Sequence, residues 1–160
     1  MDLLKTKPNL DDFDVKLSKL ETAYDITLPS DFKSFIQSSG TTAWLTDKEY
    51  DTDVLTIPLM FGNLFGIDDL LEYNDEYSDQ LAPHSIFIGV EQNDGEFYLR
   101  QTGEHSYEYG FYDSTYILSE YMADENDIND DIDEKMNEKN THFLANSFKD
   151  FLDIWYEFNE

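Results

Sequence analysis

"SIFIGVEQNDGEFYLR", Ser85 to Arg100, is the stretch whose reading decides the fold. Ile86, Ile88 and Val90 alternate with Phe87 and Gly89, the two-residue period of a β-strand. Asn93-Asp94-Gly95 then supplies residues that tolerate the backbone angles of a tight hairpin turn. Phe97 and Leu99 resume the alternation. Strands joined by so short a turn run antiparallel, so the chain is expected to hold an antiparallel sheet.

Working outward, "YEYGFYD" from Tyr107 and "TYILSEY" from Thr115 read as two more strands. Upstream, "TAWL" and "VLTIPLM" carry strand-forming residues, and Pro58 confines the second to an edge or a strand end. Between them and the hairpin, "FGNLFG" reads as a loop, with Asp68 capping a helix that carries Ile67, Leu70, Leu71 and Tyr77.

Before the sheet, Leu10, Phe13, Leu17, Leu20 and Tyr24 recur at helical spacing and form one apolar stripe ending near Tyr24. "LPSDFKSFIQSSG", Leu28 to Gly40, is a second, short helix. Pro29 suits its first turn, Ser30 or Asp31 can cap it, and Phe32, Phe35 and Ile36 share a face. Gly40 suits a left-handed stop. After the sheet, Phe148, Phe151, Leu152, Trp155 and Phe158 make a broad apolar stripe, and Ser147 with Asp150 resembles a capping box. Phe35 and Trp155 are expected to be buried where helices meet the sheet.

Two helices, a strand region containing one helix, and a final helix packed on the sheet give an α+β fold with a mainly antiparallel sheet. The 160 residues fit one domain, 1–160, without internal repeats. Residues 120–140 break the pattern: acidic residues dominate and apolar ones are sparse, which reads as a mobile or loosely held acidic insert.

Hydrophobic residues make up 40% of the chain and aromatics 16%, too much for a disordered chain despite a net charge of -26. Thirty-six acidic residues against ten basic ones imply repulsion from nucleic acid and from anionic membranes, and a cationic partner. No cysteine is present, so disulfides and thiolate chemistry are excluded. No apolar run approaches the length of a membrane span and no signal-peptide core opens the chain, so a cytoplasmic location is expected.

Catalytic patterns are not found. His84, His105 and His142 lie far apart and read as surface or strand-end histidines. There is no nucleophile elbow and no phosphate-binding loop. "DINDDIDEKMNE" from Asp127 places Asp127, Asn129, Asp131 and Glu138 at calcium-loop positions, but the required glycine is Ile132 and Lys135 sits beside the ion's place. No metal and no cofactor is expected. Tyr107, Tyr109, Phe111, Tyr112 and Tyr116 could stack bases, yet between Lys33 and Lys135 only Lys48 and Arg100 face 24 acidic residues, which argues against nucleic acid.

Three pieces carry a family resemblance: "LETAYDITLPSDFKSFIQSSG", "IFIGVEQNDGEFYLR" and "NSFKDFLDIWYEF". Together they resemble the SMI1/KNR4, or SUKH, superfamily. Where the family often has Asn-Gly-Gly after its second helix, this chain has Ser39-Gly40-Thr41, and Glu91 stands where aspartate is frequent. The resemblance implies a non-enzymatic α+β domain. Many bacterial members look like immunity proteins that bind and neutralise a cognate toxin, here a basic one and a nuclease by class; fungal members are regulators, so a regulatory scaffold is the alternative and an acidic-site hydrolase a third reading. The partner-binding residues expected are Asp124, Glu125, Asp127, Asp130, Asp131 and Asp133, with Tyr109 or Tyr112 as the buried anchor of the interface. Nothing in the sequence sets the oligomeric state.

Overall fold

A computed structural model describes residues 3–5, 7–44, 49–50, 59–60, 62–90, 95–113 and 140–157. The hairpin is its centre. Strand β6 (Ser85–Val90) pairs antiparallel with β7 (Glu96–Gly103), which pairs with β8 (Ser106–Tyr112). Outward from these lie β9 (Thr141–Ala145) on one side, and β5 (Asn63–Leu64), β2 (Thr42–Trp44) and β1 (Leu3–Lys5) on the other. The sheet order is β1-β2-β5-β6-β7-β8-β9, and every pairing is antiparallel. A separate ribbon joins β3 (Glu49–Tyr50) to β4 (Leu59–Met60). The fold is α+β, as expected.

Four helices accompany the sheet among the described residues: α1 (Phe13–Tyr24), α2 (Ser30–Ser38), α3 (Ile67–Tyr77) and α4 (Phe148–Glu157). Phe97 and Phe111 lie opposite each other in the sheet, as do Leu99 and Tyr109, so the four side chains share one face. Helix α4 covers that face: Phe151 packs on Phe97 at 5.5 Å and on Tyr109 at 5.6 Å, ring centre to ring centre. Phe148 bridges onward to α2, meeting Phe32 and Phe35 edge-on at 5.2 Å each. The docked aromatics explain why so short a helix as α2 is stable.

Helix α3 packs beside α1 and against β6. Its Tyr73 meets Phe87 edge-on at 5.7 Å. It also completes the strand. The last bond from the β5 side is Phe65 N–H to the Ile88 carbonyl at 2.9 Å; at Phe87, Asn74 takes the neighbouring strand's place. The Asn74 amide donates to the Phe87 carbonyl at 2.8 Å and accepts from the Phe87 N–H at 2.7 Å. A third bond, 2.8 Å to the Leu70 carbonyl, fixes the amide on its own helix. Because β6 is covered on both faces, Ile86, Phe87 and Ile88 are all buried, which accounts for the near-continuous apolar run.

Several local expectations are corrected. The strict alternation through β6 is broken by a bulge: Phe87 faces Tyr98 while Gly89 faces Phe97, leaving Ile88 as the extra residue. Gly89 is needed there, because a Cβ would drive into the Asn63 carbonyl of β5. "FGNLFG" contains β5, too short for a propensity signal. Leu10 is 51% exposed and lies before α1, which starts only after the left-handed Asp12. Neither Ser30 nor Asp31 is an N-cap: Pro29 precedes the helix, and Asp31 accepts from the adjacent Phe32 N–H at 2.8 Å. Helix α2 closes through the extended Ser39, and no described glycine adopts a positive φ, so Gly40 is not a left-handed stop. Gly66, not Asp68, stands at the N-cap of α3, and Asp68 instead pairs with Lys16 of α1 at 2.7 Å. The Ser147 cap holds: its hydroxyl accepts from the Asp150 N–H at 3.1 Å. Phe35 is half-buried rather than buried. The Trp155 side chain, "TYILSEY", most of "VLTIPLM", the Asn93-Asp94 turn and nearly all of the acidic insert lie outside the described residues.

Candidate functional site

The tyrosines expected at an interface are inside. Tyr109 is fully buried between Phe148 and Phe151, and Tyr112 is 6% exposed against Phe87. Both rings are turned inward, Tyr109 against helix α4 and Tyr112 against Phe87 of β6, so neither is exposed as the expected anchor would be. Burial pushes both phenols up, Tyr112 against a lowering bond from Asn140. The Tyr109 hydroxyl has no hydrogen-bond partner among the described residues. Asp124, Glu125, Asp127, Asp130, Asp131 and Asp133 lie outside the described residues, as does the calcium-like stretch from Asp127 to Glu138.

What the structure assembles lies elsewhere, where the α1–α2 connection crosses the ends of β6 and β7. Helix α1 ends at Tyr24, and Asp25 turns left-handed, with φ 48° and ψ 53°, giving its N–H to the Glu21 carbonyl. Ile26 and Leu28 then bury on either side of the exposed Thr27. Four side chains tie this connection down. Gln101 accepts from the Thr27 N–H at 2.8 Å, and the Tyr107 hydroxyl donates to the Thr27 carbonyl at 2.6 Å. Glu21 accepts from the Leu28 N–H at 2.8 Å and pairs with Lys33 at 2.8 Å. His84, itself left-handed at φ 61°, places Nδ1 2.7 Å from the Asp25 carbonyl. A carbonyl only accepts, so Nδ1 carries the proton and Nε2 is the open nitrogen of the ring. The Asp25 carboxylate lies 3.4 Å from the same Nδ1.

Asp25 and His84 stand between two open grooves. The larger, of about 730 Å³, is bounded by Ser18, Glu21 and Thr22 of α1, Thr27, and Gln101 to Gly103 at the end of β7. The smaller, of about 390 Å³, runs between the end of α1 and the segment from Ser78 to Ser85. Among the described residues, no lysine or arginine lines either groove.

Several other ionisable groups among the described residues form structural pairs. Tyr73 donates to the buried Glu96 at 2.9 Å, and burial raises its phenol well above the usual range. Tyr98 donates to Glu108 at 2.6 Å, and Arg100 faces the same carboxylate at 3.7 Å. His105 is exposed in the β7–β8 turn, and His142 stacks on Phe111 at 6.4 Å, burial lowering its pKa. No cluster of three histidine, cysteine or acidic side chains suited to a metal occurs among the described residues, and no described helix is long and apolar enough to cross a membrane.

Sequence reasoning missed the Asp25–His84 site. Aspartate and histidine tolerate left-handed backbone better than most residues, but neither position carries a motif that announces it.

The model of the SMI1 / KNR4 family (SUKH-1) matches residues 14–154, most of the chain. No curated protein and no solved structure matches it.

Proposed function

The chain belongs to the SMI1/KNR4 family (SUKH-1), and we propose that it is a non-enzymatic, immunity-type domain that binds and neutralises a toxin with a basic surface. Family membership is consistent with an immunity-like or adaptor domain. The observation that carries the finer reading is charge: -26 over 160 residues, a surface suited to a cationic partner. A nuclease fits as the class of toxin, since a protein that binds nucleic acid presents the basic face this chain would cover. Acidic residues of the insert, Asp124 to Asp133, supply long-range attraction and speed encounter. The cytoplasm, where such a toxin acts on its host, is the proposed location.

The test is recovery of the partner from the native host, followed by calorimetry and co-expression. The reading expects a one-to-one complex, association that slows as salt rises, and loss of the partner's toxicity. An acidic partner, or a partner whose activity the complex leaves intact, overturns it; the second outcome would favour an adaptor.

A further inference from the structure

Resting on the reading of a basic partner, we propose that the larger groove beside Asp25 and His84 is the seat of an arginine side chain of that partner. Three observations converge. The wall is already fixed: the bonds from Gln101, Tyr107, Glu21 and His84 hold residues 25–28 in place, so little ordering remains to oppose binding. The lining is rich in acceptors. The Asp25 side chain is 91% exposed, the His84 ring keeps Nε2 open, and the hydroxyl-bearing Ser18, Thr22 and Thr102 line the same space. Among the described residues no lysine or arginine lines the groove, Lys33 is paired with Glu21, and the Asp25 carboxylate meets only the His84 Nδ1, at 3.4 Å. An acceptor-lined groove bordered by an exposed carboxylate suits a donor-only group. Guanidinium is planar, carries five N–H donors and sheds water more readily than an ammonium, so arginine fits better than lysine.

The probe is a capped tetra-arginine peptide, titrated into the isotopically labelled whole chain at about 0.15 M salt, where long-range attraction is screened beyond roughly 8 Å. Amide signals of Asp25, Thr27, His84 and Thr102 should shift saturably, and a tetra-lysine peptide should bind more weakly. A Thr22→Lys, Thr102→Lys double variant changes two exposed groove residues and should weaken peptide binding at least tenfold. Asp25→Asn, which tolerates the left-handed backbone, should weaken it several-fold. Saturable shifts confined to other regions, or full binding by the double variant, overturn the groove while leaving a basic partner in place. The absence of saturable binding anywhere overturns the groove, whereas recovery of a basic partner from the host tests the broader reading independently.

Discussion

Asn74 is the residue at which one substitution most directly interrogates this fold. It is fully buried and stands in for a missing strand, saturating both backbone groups of Phe87. Asn74→Ala strips the partners from one buried N–H and one buried carbonyl. Each such group costs about 1–3 kcal/mol when left unpaired, so the variant should lose roughly 2–6 kcal/mol. The Leu70 carbonyl adds little, because it can retain its helical partner. That loss is a large share of the roughly 5–15 kcal/mol that holds a domain together. Urea unfolding followed by fluorescence should show a lower midpoint with an unchanged slope. Asn74→Asp separates hydrogen bonding from packing. Its carboxylate can accept from the Phe87 N–H but cannot donate to the carbonyls, whereas the protonated acid can do both. Burial raises the folded-state pKa of such a group, so the folded state holds the proton more tightly. Stability relative to the original chain should therefore be best at low pH and fall as pH rises through the ordinary carboxylate pKa toward the raised one. A midpoint for Asn74→Ala within experimental error of the original would refute the role of the amide as a strand surrogate.

Three further outcomes follow from the packing. Tyr109→Phe removes a buried hydroxyl with no described partner while keeping the ring between Phe148 and Phe151, so the melting temperature should hold or rise; a fall of more than about 4 °C would reveal a bond. Gly89→Ala should cost about 1–3 kcal/mol in urea unfolding, since the added methyl meets the Asn63 carbonyl of β5. His142 is held below its ordinary pKa by burial, so the unfolded chain binds that proton more readily, and the histidine's contribution is present above the unfolded value and lost as pH falls through the depressed one; His142→Phe should flatten the stability profile on the acid side of the ordinary histidine pKa, and an unchanged profile would count against burial as the cause.

How much of this was legible depended on whether a residue's role was local. The β6–β7 hairpin, the end of α1 at Tyr24, and the Ser147 cap of α4 rest on neighbours in sequence, and each is where periodicity and capping chemistry put it. Short strands escaped. β1, β5 and β9 are held by ladders to distant segments, and two to five residues carry too little propensity to declare themselves. Asn74 would read as an ordinary polar helical residue, because its partners lie 13 residues on in a strand whose edge is bare only after the sheet has assembled.

The same reasoning explains why the burial of the sheet tyrosines was not legible in the sequence. Alternation identifies two faces of a strand, but it cannot say whether the second face meets water or a helix. Tyr109 shares its face with Leu99 and Phe97, and Phe151 of α4 packs on both aromatic rings. The polar surface that remains organised lies where the chain changes direction, at Asp25 and His84, 59 residues apart and joined through one backbone carbonyl. Glu21 illustrates the economy of the arrangement: one carboxylate oxygen holds the Leu28 amide and the Lys33 ammonium together. That pairing occupies Lys33, while the Asp25 carboxylate stays largely exposed with only the His84 ring beside it. A cationic side chain arriving from outside would therefore meet an acceptor set already positioned by the fold, while the wider acidic charge of the chain governs how fast it arrives.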